Sequence, residues 1–136
     1  MELVKIMNNL YQSPLIDDWA VILDKGINVV IDLEDIINSG VPKSVIYIYW
    51  GIEDGPLPDT NILWGIAGLG AKMIKNGYKV LVSCVGGFNR SALINACIIK
   101  TLHPDLRGAE IIELIRKARP GALSNPTFFD FLMAIK

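Results

Sequence analysis

One histidine and two cysteines leave little material for a structural metal site. Cys84, Cys97 and His103 do not fall at zinc-ligand spacing. The two cysteines also argue against a disulfide, because Cys97 lies in an apolar helical stretch that follows Cys84. No apolar run is long enough to span a bilayer. The opening Met1-Glu2-Leu3-Val4-Lys5 lacks the basic-then-apolar pattern of a signal peptide. The expected setting is the cytoplasm, where thiols stay reduced, with no membrane partner. An excess of one charge is missing too. A net charge of −1 gives no bulk attraction to nucleic acid.

What the sequence does have is apolar mass: 51% of its 136 residues are hydrophobic and 20% charged, enough for one domain over residues 1–136 with its own core. Charge is unevenly shared. Residues 1–68 hold three Lys/Arg against ten Asp/Glu, a net of −7, while residues 69–136 hold ten against four, a net of +6. Solvated helix faces account for most of that asymmetry.

Leu3–Met7 and Leu10–Gln12 read as short strands around the turn signal Asn8-Asn9. Ser13-Pro14 reads as a helix start, with Ser as N-cap and Pro in the first turn, and Lys25-Gly26 as its end. Ile27–Leu33 is a β-branched run suited to a central strand. Glu34–Val41 is a polar connection, and Val45–Trp50 a further strand. Gly51–Asp59, rich in Gly, Pro and acid, reads as an exposed, mobile loop. A helix spans about Thr60–Lys75, closed by Asn76-Gly77. Tyr78–Ser83 is a strand, and Arg90–Leu102 is apolar nearly all round, as an enclosed helix is. Gly108–Arg119 and Pro126–Ile135 complete the helices. This order predicts an α/β fold: a mixed sheet, helices on both faces and a C-terminal helical bundle.

The chemistry concentrates between strand and helix, in Ser83-Cys84-Val85-Gly86-Gly87-Phe88-Asn89-Arg90-Ser91. A thiol with an ordinary pKa of about 8.5 is only a few per cent thiolate near neutral pH. A helix N-terminus and a neighbouring Arg both favour the thiolate, and Cys84 has both available. Gly86 and Gly87 can take positive φ, so that successive backbone N–H groups in Val85–Asn89 turn inward onto an anion. Arg90 can grip two phosphoryl oxygens in a plane. Ser91 can donate to the sulfur. These groups suit cysteine-based hydrolysis of a phosphate monoester, without cofactor or metal, through a thiophosphoryl intermediate. The departing oxygen then needs an acid. Asp54, in the 51–59 loop, is the candidate, with Glu53 and Asp59 as rivals; Asp59 also reads as the cap of the helix starting at Thr60.

The loop resembles the His-Cys-x2-Gly-x2-Arg-Ser/Thr loop of the dual-specificity branch of the cysteine-dependent protein tyrosine phosphatases. Leu10-Tyr11-Gln12-Ser13, Gly26–Leu33 and the late Arg119-Pro120 with Asn125 and Phe128 resemble further segments of that family, so the likeness covers nearly the whole chain. It implies a five-stranded mixed sheet flanked by helices. It also implies Cys84 as nucleophile, Arg90 as phosphate binder, Asp54 as acid and base, and Ser91 as thiolate partner. The implied substrates are phosphorylated proteins (phosphotyrosine, phosphoserine, phosphothreonine) or small phosphoesters. One position departs: Ser83 stands where the family has His, which keeps open a phospho-binding module without turnover. Gly87-Phe88-Asn89-Arg90 also resembles RNA 5′-triphosphatases of the superfamily, the one reading with a nucleic-acid partner. Phe88 is open between a wall of the site mouth and packing under the loop. Arg119 is open between an anchor for the loop and a helix-end charge.

Overall fold

The computed structural model describes residues 2–136. Its elements run β1 (Val4–Met7), β2 (Leu10–Ser13), α1 (Trp19–Asp24), β3 (Val29–Asp32), β4 (Ile46–Tyr49), α2 (Thr60–Lys75), β5 (Val80–Ser83), α3 (Arg90–Leu102), α4 (Gly108–Ala118) and α5 (Pro126–Met133). The sheet has five strands in the order β1-β2-β5-β3-β4. β1 is antiparallel to β2, and every other pairing is parallel. The fold is thus the expected mixed sheet, with β5 in its centre.

Side-chain alternation along the strands builds two cores. Leu10, Val29, Ile31, Val80 and Val82 face the larger one, with residues from α2 to α5. Tyr11, Val30 and Leu81 face the smaller one, with Ile22 of α1. α3 lies deepest: its first ten residues, Arg90 to Ile99, are all buried. Such a helix is apolar nearly all round because it has no solvent face there. It packs closely on α2, where a Cβ at Gly70 would come within 2.9 Å of Ile98 Cδ1.

One element starts elsewhere than its local signals indicate. The helix expected from Ser13-Pro14 begins at Trp19, capped by Asp18, whose side chain accepts from the Ala20 N–H. Ser13 instead completes β2 opposite Ser83, and its carbonyl accepts from the Cys84 N–H at 3.3 Å. A ladder position in a parallel sheet outweighs a local capping preference. The connection after Pro14 then passes beside the Cys84 loop, with the Leu15 N–H donating to the Val85 carbonyl at 3.2 Å.

Parallel pairing places the C-terminal ends of β2, β3, β4 and β5 on one edge of the sheet. Such an edge is the usual place for a ligand crevice. It gathers the loops after Ser13, Asp32, Tyr49 and Ser83.

Candidate active site

β5 delivers Cys84 to this edge with 2% exposure. The next four carbonyls are all taken by groups from outside the loop. Val85 O accepts from the Leu15 N–H (3.2 Å), Gly86 O from Arg119 Nη2 (3.1 Å), Gly87 O from Gln12 Nε2 (2.9 Å) and Phe88 O from the Leu123 N–H (2.9 Å). Peptide planarity turns the following N–H groups, those of Gly86 to Asn89, the opposite way. Among the described residues, none of them donates to a protein group. A row of N–H groups turned away from those outward bonds and left without protein acceptors can serve as an anion cradle. Only Gly87 of the loop's two glycines uses positive φ, at 71°. A Cβ there would stand 2.8 Å from the Pro14 nitrogen, so both its conformation and its space require glycine.

The sulfur lies at the start of α3. The Ser91 N–H donates to Cys84 Sγ at 3.4 Å, and Ser91 Oγ is 3.2 Å from it. Helix N-terminal N–H groups favour negative charge, and one of them, that of Ser91, points at the sulfur.

Arg90 is 7% exposed, and its Nη1 donates to Ile52 O (3.0 Å), Leu33 O (3.5 Å) and Asp35 Oδ1 (3.1 Å). Among the described residues nothing takes Nη2 or Nε. One edge of the guanidinium is thus tied to the protein, and the rest can fork onto an oxyanion. Beneath lies an acidic group. Tyr47 donates to Asp32, and Asp32 Oδ1 accepts from the Glu34 N–H. Burial, then the nearby Asp32, push the Glu34 carboxyl above its ordinary range, while Arg90 pulls it back.

The 51–59 loop is fastened through Ile52 O on Arg90, through Asp54 on the cradle's rim and through Gly55 O, which accepts from Asn125 Nδ2 at 3.1 Å. Asp54 Oδ1 accepts from Asn125 Nδ2 (2.9 Å) and Oδ2 from Asn89 Nδ2 (3.1 Å). Asn125 also caps α5 through its Oδ1, which accepts from the Thr127 and Phe128 N–H groups. Asp54, Asn89, Ser124 and Asn125 line a cleft of about 370 Å³. Asp59 is instead the N-cap of α2, accepting from the Asn61 and Ile62 N–H groups. Glu53 is exposed.

The sequence profile of the cyclin-dependent kinase inhibitor 3 family matches residues 7–111. The chain belongs to that family. It is thereby a member of the dual-specificity branch of the cysteine-dependent protein tyrosine phosphatases. Cyclin-dependent kinase inhibitor 3 of Rattus norvegicus is 33% identical over 82 residues, 60% of this chain and 39% of that protein. Tyrosine-protein phosphatase CDC14 of Saccharomyces cerevisiae is 36% identical over 75 residues, 54% of this chain and 13% of that protein. The matched stretch is therefore well under half the length of these relatives. Among solved structures, human DUSP28 superposes with a TM-score of 0.84 at 20% identity, covering 96% of this chain and 92% of that one. DUSP15 gives 0.86 at 22% identity, covering 96% and 85%. Family and fold are those of a protein phosphatase of the dual-specificity type.

Against the family loop, the departure at Ser83 has a definite structural form. Ser83 is 1% exposed, and its Oγ is buried with no hydrogen-bond partner among the described residues. A stranded hydroxyl costs stability. Ser83→Ala is therefore expected to raise stability by up to about 1 kcal/mol and to leave turnover within twofold. Thermal unfolding and steady-state kinetics on the variant check this; a large loss of turnover would give the hydroxyl a catalytic role.

Arg119 braces the loop from outside. Besides its bond to Gly86 O, its Cζ lies 4.0 Å from the centroid of the Phe88 ring, a cation–π contact. Phe88 stays 36% exposed, on the rim. Leu123 holds a left-handed φ of 63° while its N–H reaches Phe88 O. Such strain persists in a non-glycine residue only where the surroundings enforce it. Cys97 is fully buried in α3, and burial pushes its thiol well above the ordinary range.

Asp35 and Gln12 are the site's unforeseen members. Asp35 lies in the polar connection Glu34–Val41, which carries no local signal for the site. Gln12 sits in a strand whose pattern marks it only as one more position.

Proposed function

We propose that the chain is a cysteine-dependent phosphatase. It hydrolyses phosphate monoesters on phosphotyrosine, phosphoserine or phosphothreonine proteins, or on small phosphoesters. The observation that carries the reading is the cradle: four consecutive carbonyls bonded outward, around a sulfur that accepts from the Ser91 N–H. In the first step the Cys84 thiolate attacks phosphorus, the ester P–O bond breaks, and Asp54 gives its proton to the departing oxygen. In the second, Asp54 takes a proton from water, and that water's oxygen displaces the sulfur. Inorganic phosphate leaves and the thiolate returns. Arg90 and the loop N–H groups hold the equatorial oxygens, where charge spreads in the transition state.

The reduced thiol this needs fits a reducing compartment such as the cytoplasm. No described helix is long and apolar enough to cross a membrane.

The test is phosphate release from an aryl phosphate under single-turnover conditions, with vanadate as inhibitor and EDTA without effect. Absence of release alongside phosphopeptide binding would make the chain a phospho-binding module. Release confined to the γ-phosphate of 5′-triphosphate RNA would make it an RNA triphosphatase.

Asp54→Asn separates the acid's role from the cradle's. An alkyl alcohol is a poor leaving group without a proton, whereas a nitrophenolate leaves readily. The expected loss is roughly 10²-fold on an alkyl phosphate and under about tenfold on an aryl one in the first, phosphoryl-transfer step, read by rapid-quench kinetics. Equal losses on both, or a larger loss on the alkyl ester in Glu53→Gln, would move the acid elsewhere.

A further inference from the structure

Gln12 and Asn95 are polar side chains with 0% exposure, one in β2 and one in α3, beneath the Cys84 loop. Burying two amides costs free energy that their mutual bond only offsets, and apolar residues of similar size are commonly as stable. Their pairing is directional. Asn95 Nδ2 donates to Gln12 Oε1 at 2.9 Å, with a longer 3.4 Å bond to Tyr11 O. Gln12 Nε2 in turn donates to Gly87 O at 2.9 Å. The relay ends on the one loop carbonyl that belongs to the positive-φ glycine. The same peptide unit carries the Phe88 N–H on its other side. Fixing that carbonyl therefore aims an N–H of the cradle. Asn95 orients the Gln12 amide, because Oε1 must accept from it, which leaves Nε2 as the end that faces Gly87.

We propose that Gln12 and Asn95 are positioning residues for the anion cradle. They hold the Gly87–Phe88 peptide with its N–H toward the phosphoryl oxygens, in a loop whose preceding residue, Ser83, makes no side-chain bond of its own. The inference rests on the phosphatase reading above. It assigns neither residue any contact with substrate.

The experiment compares wild type, Gln12→Met, and the double variant Gln12→Met/Asn95→Leu. Vanadate affinity by calorimetry, kcat and KM on an aryl phosphate, and thermal unfolding are measured on each. Gln12→Met keeps length and volume and removes the donor. Vanadate binding and kcat are expected to fall roughly tenfold, as for the loss of one well-placed hydrogen bond, with a smaller change in KM. The double variant strands no buried donor. Its midpoint stays within about 4–8 °C of wild type, while the loss in vanadate affinity persists. Asn95→Ala, which leaves Gln12 without its orienting partner, gives an intermediate loss of about threefold. A stable double variant with wild-type vanadate affinity and kcat overturns the proposal. So does a loss of affinity that merely tracks the unfolded fraction. A wild-type protein that neither binds vanadate nor releases phosphate overturns the phosphatase reading itself, a result distinct from either.

Discussion

Cys84→Ser is expected to reduce turnover by on the order of 10⁴-fold or more while leaving inorganic phosphate bound with near wild-type affinity. The asymmetry follows from where each function resides. In the proposed mechanism anion binding belongs to backbone N–H groups whose preceding carbonyls are fixed by Leu15, Arg119, Gln12 and Leu123, and to Arg90. None of these partners is Cys84. Nucleophilicity belongs to the sulfur alone. A serine hydroxyl is far less acidic than a thiol, and Ser91 and the α3 N-terminus do not ionise it. The other thiol is no substitute: Cys97 is buried within α3, and burial opposes its ionisation. Calorimetric titration with inorganic phosphate, beside a rapid-quench assay on an aryl phosphate, reads the two functions separately. Turnover above about a hundredth of wild type would place the nucleophile elsewhere. Loss of anion binding together with turnover would mean that the sulfur itself shapes the loop.

The difference between what was legible in the sequence and what was not follows contact range. The strand–Cys84–loop–Arg90–helix unit is contiguous, so its turn chemistry and apolar flanks lie in one window. The exact match of α2 and α3 to the expected Thr60–Lys75 and Arg90–Leu102 has the same origin. The acidic loop was legible as a loop with Asp54 as its candidate acid, but the groups that hold Asp54 were not. They are Asn89 and Asn125, which lie 35 and 71 residues from it. Ser13-Pro14 is instructive in the other direction. Its local signature is a sound helix start, and the chain overrides it because Ser13 pairs with Ser83, which no local window contains. Asp35 and Gln12 acquire their parts only through the parallel register that sets β2 and β3 on either side of β5. The partition matters for the chemistry. The groups proposed to react are written locally, and the groups proposed to aim them are written at long range.

Arg90→Lys is the substitution that tests this aiming most severely, because it conserves charge. A lysine ammonium keeps the formal attraction for a dianion, so a purely electrostatic role would survive. The geometry does not survive. Arg90 Nη1 is held by Ile52 O, Leu33 O and Asp35 Oδ1, which leaves the rest of the planar guanidinium for phosphoryl oxygens. An ammonium is a single point on a flexible stem. Seated among the two carbonyls and Asp35, it has no second edge to present. Seated on the phosphate, it leaves those acceptors and the buried Glu34 without their cation. Either way a bidentate contact that strengthens as charge develops in the transition state is lost. The expected result is a fall in kcat/KM of roughly 10³-fold, most of it in kcat, measured by steady-state kinetics on an aryl phosphate. Asp35→Asn is the companion. The Asp35 side chain is 76% exposed, so its pairing with Arg90 is screened by water and is worth little to stability. The neutral amide still offers an acceptor to Nη1, and a loss of under about tenfold is expected. Equal losses in the two variants would mean that Asp35, rather than the backbone carbonyls of Leu33 and Ile52, sets the orientation of the guanidinium.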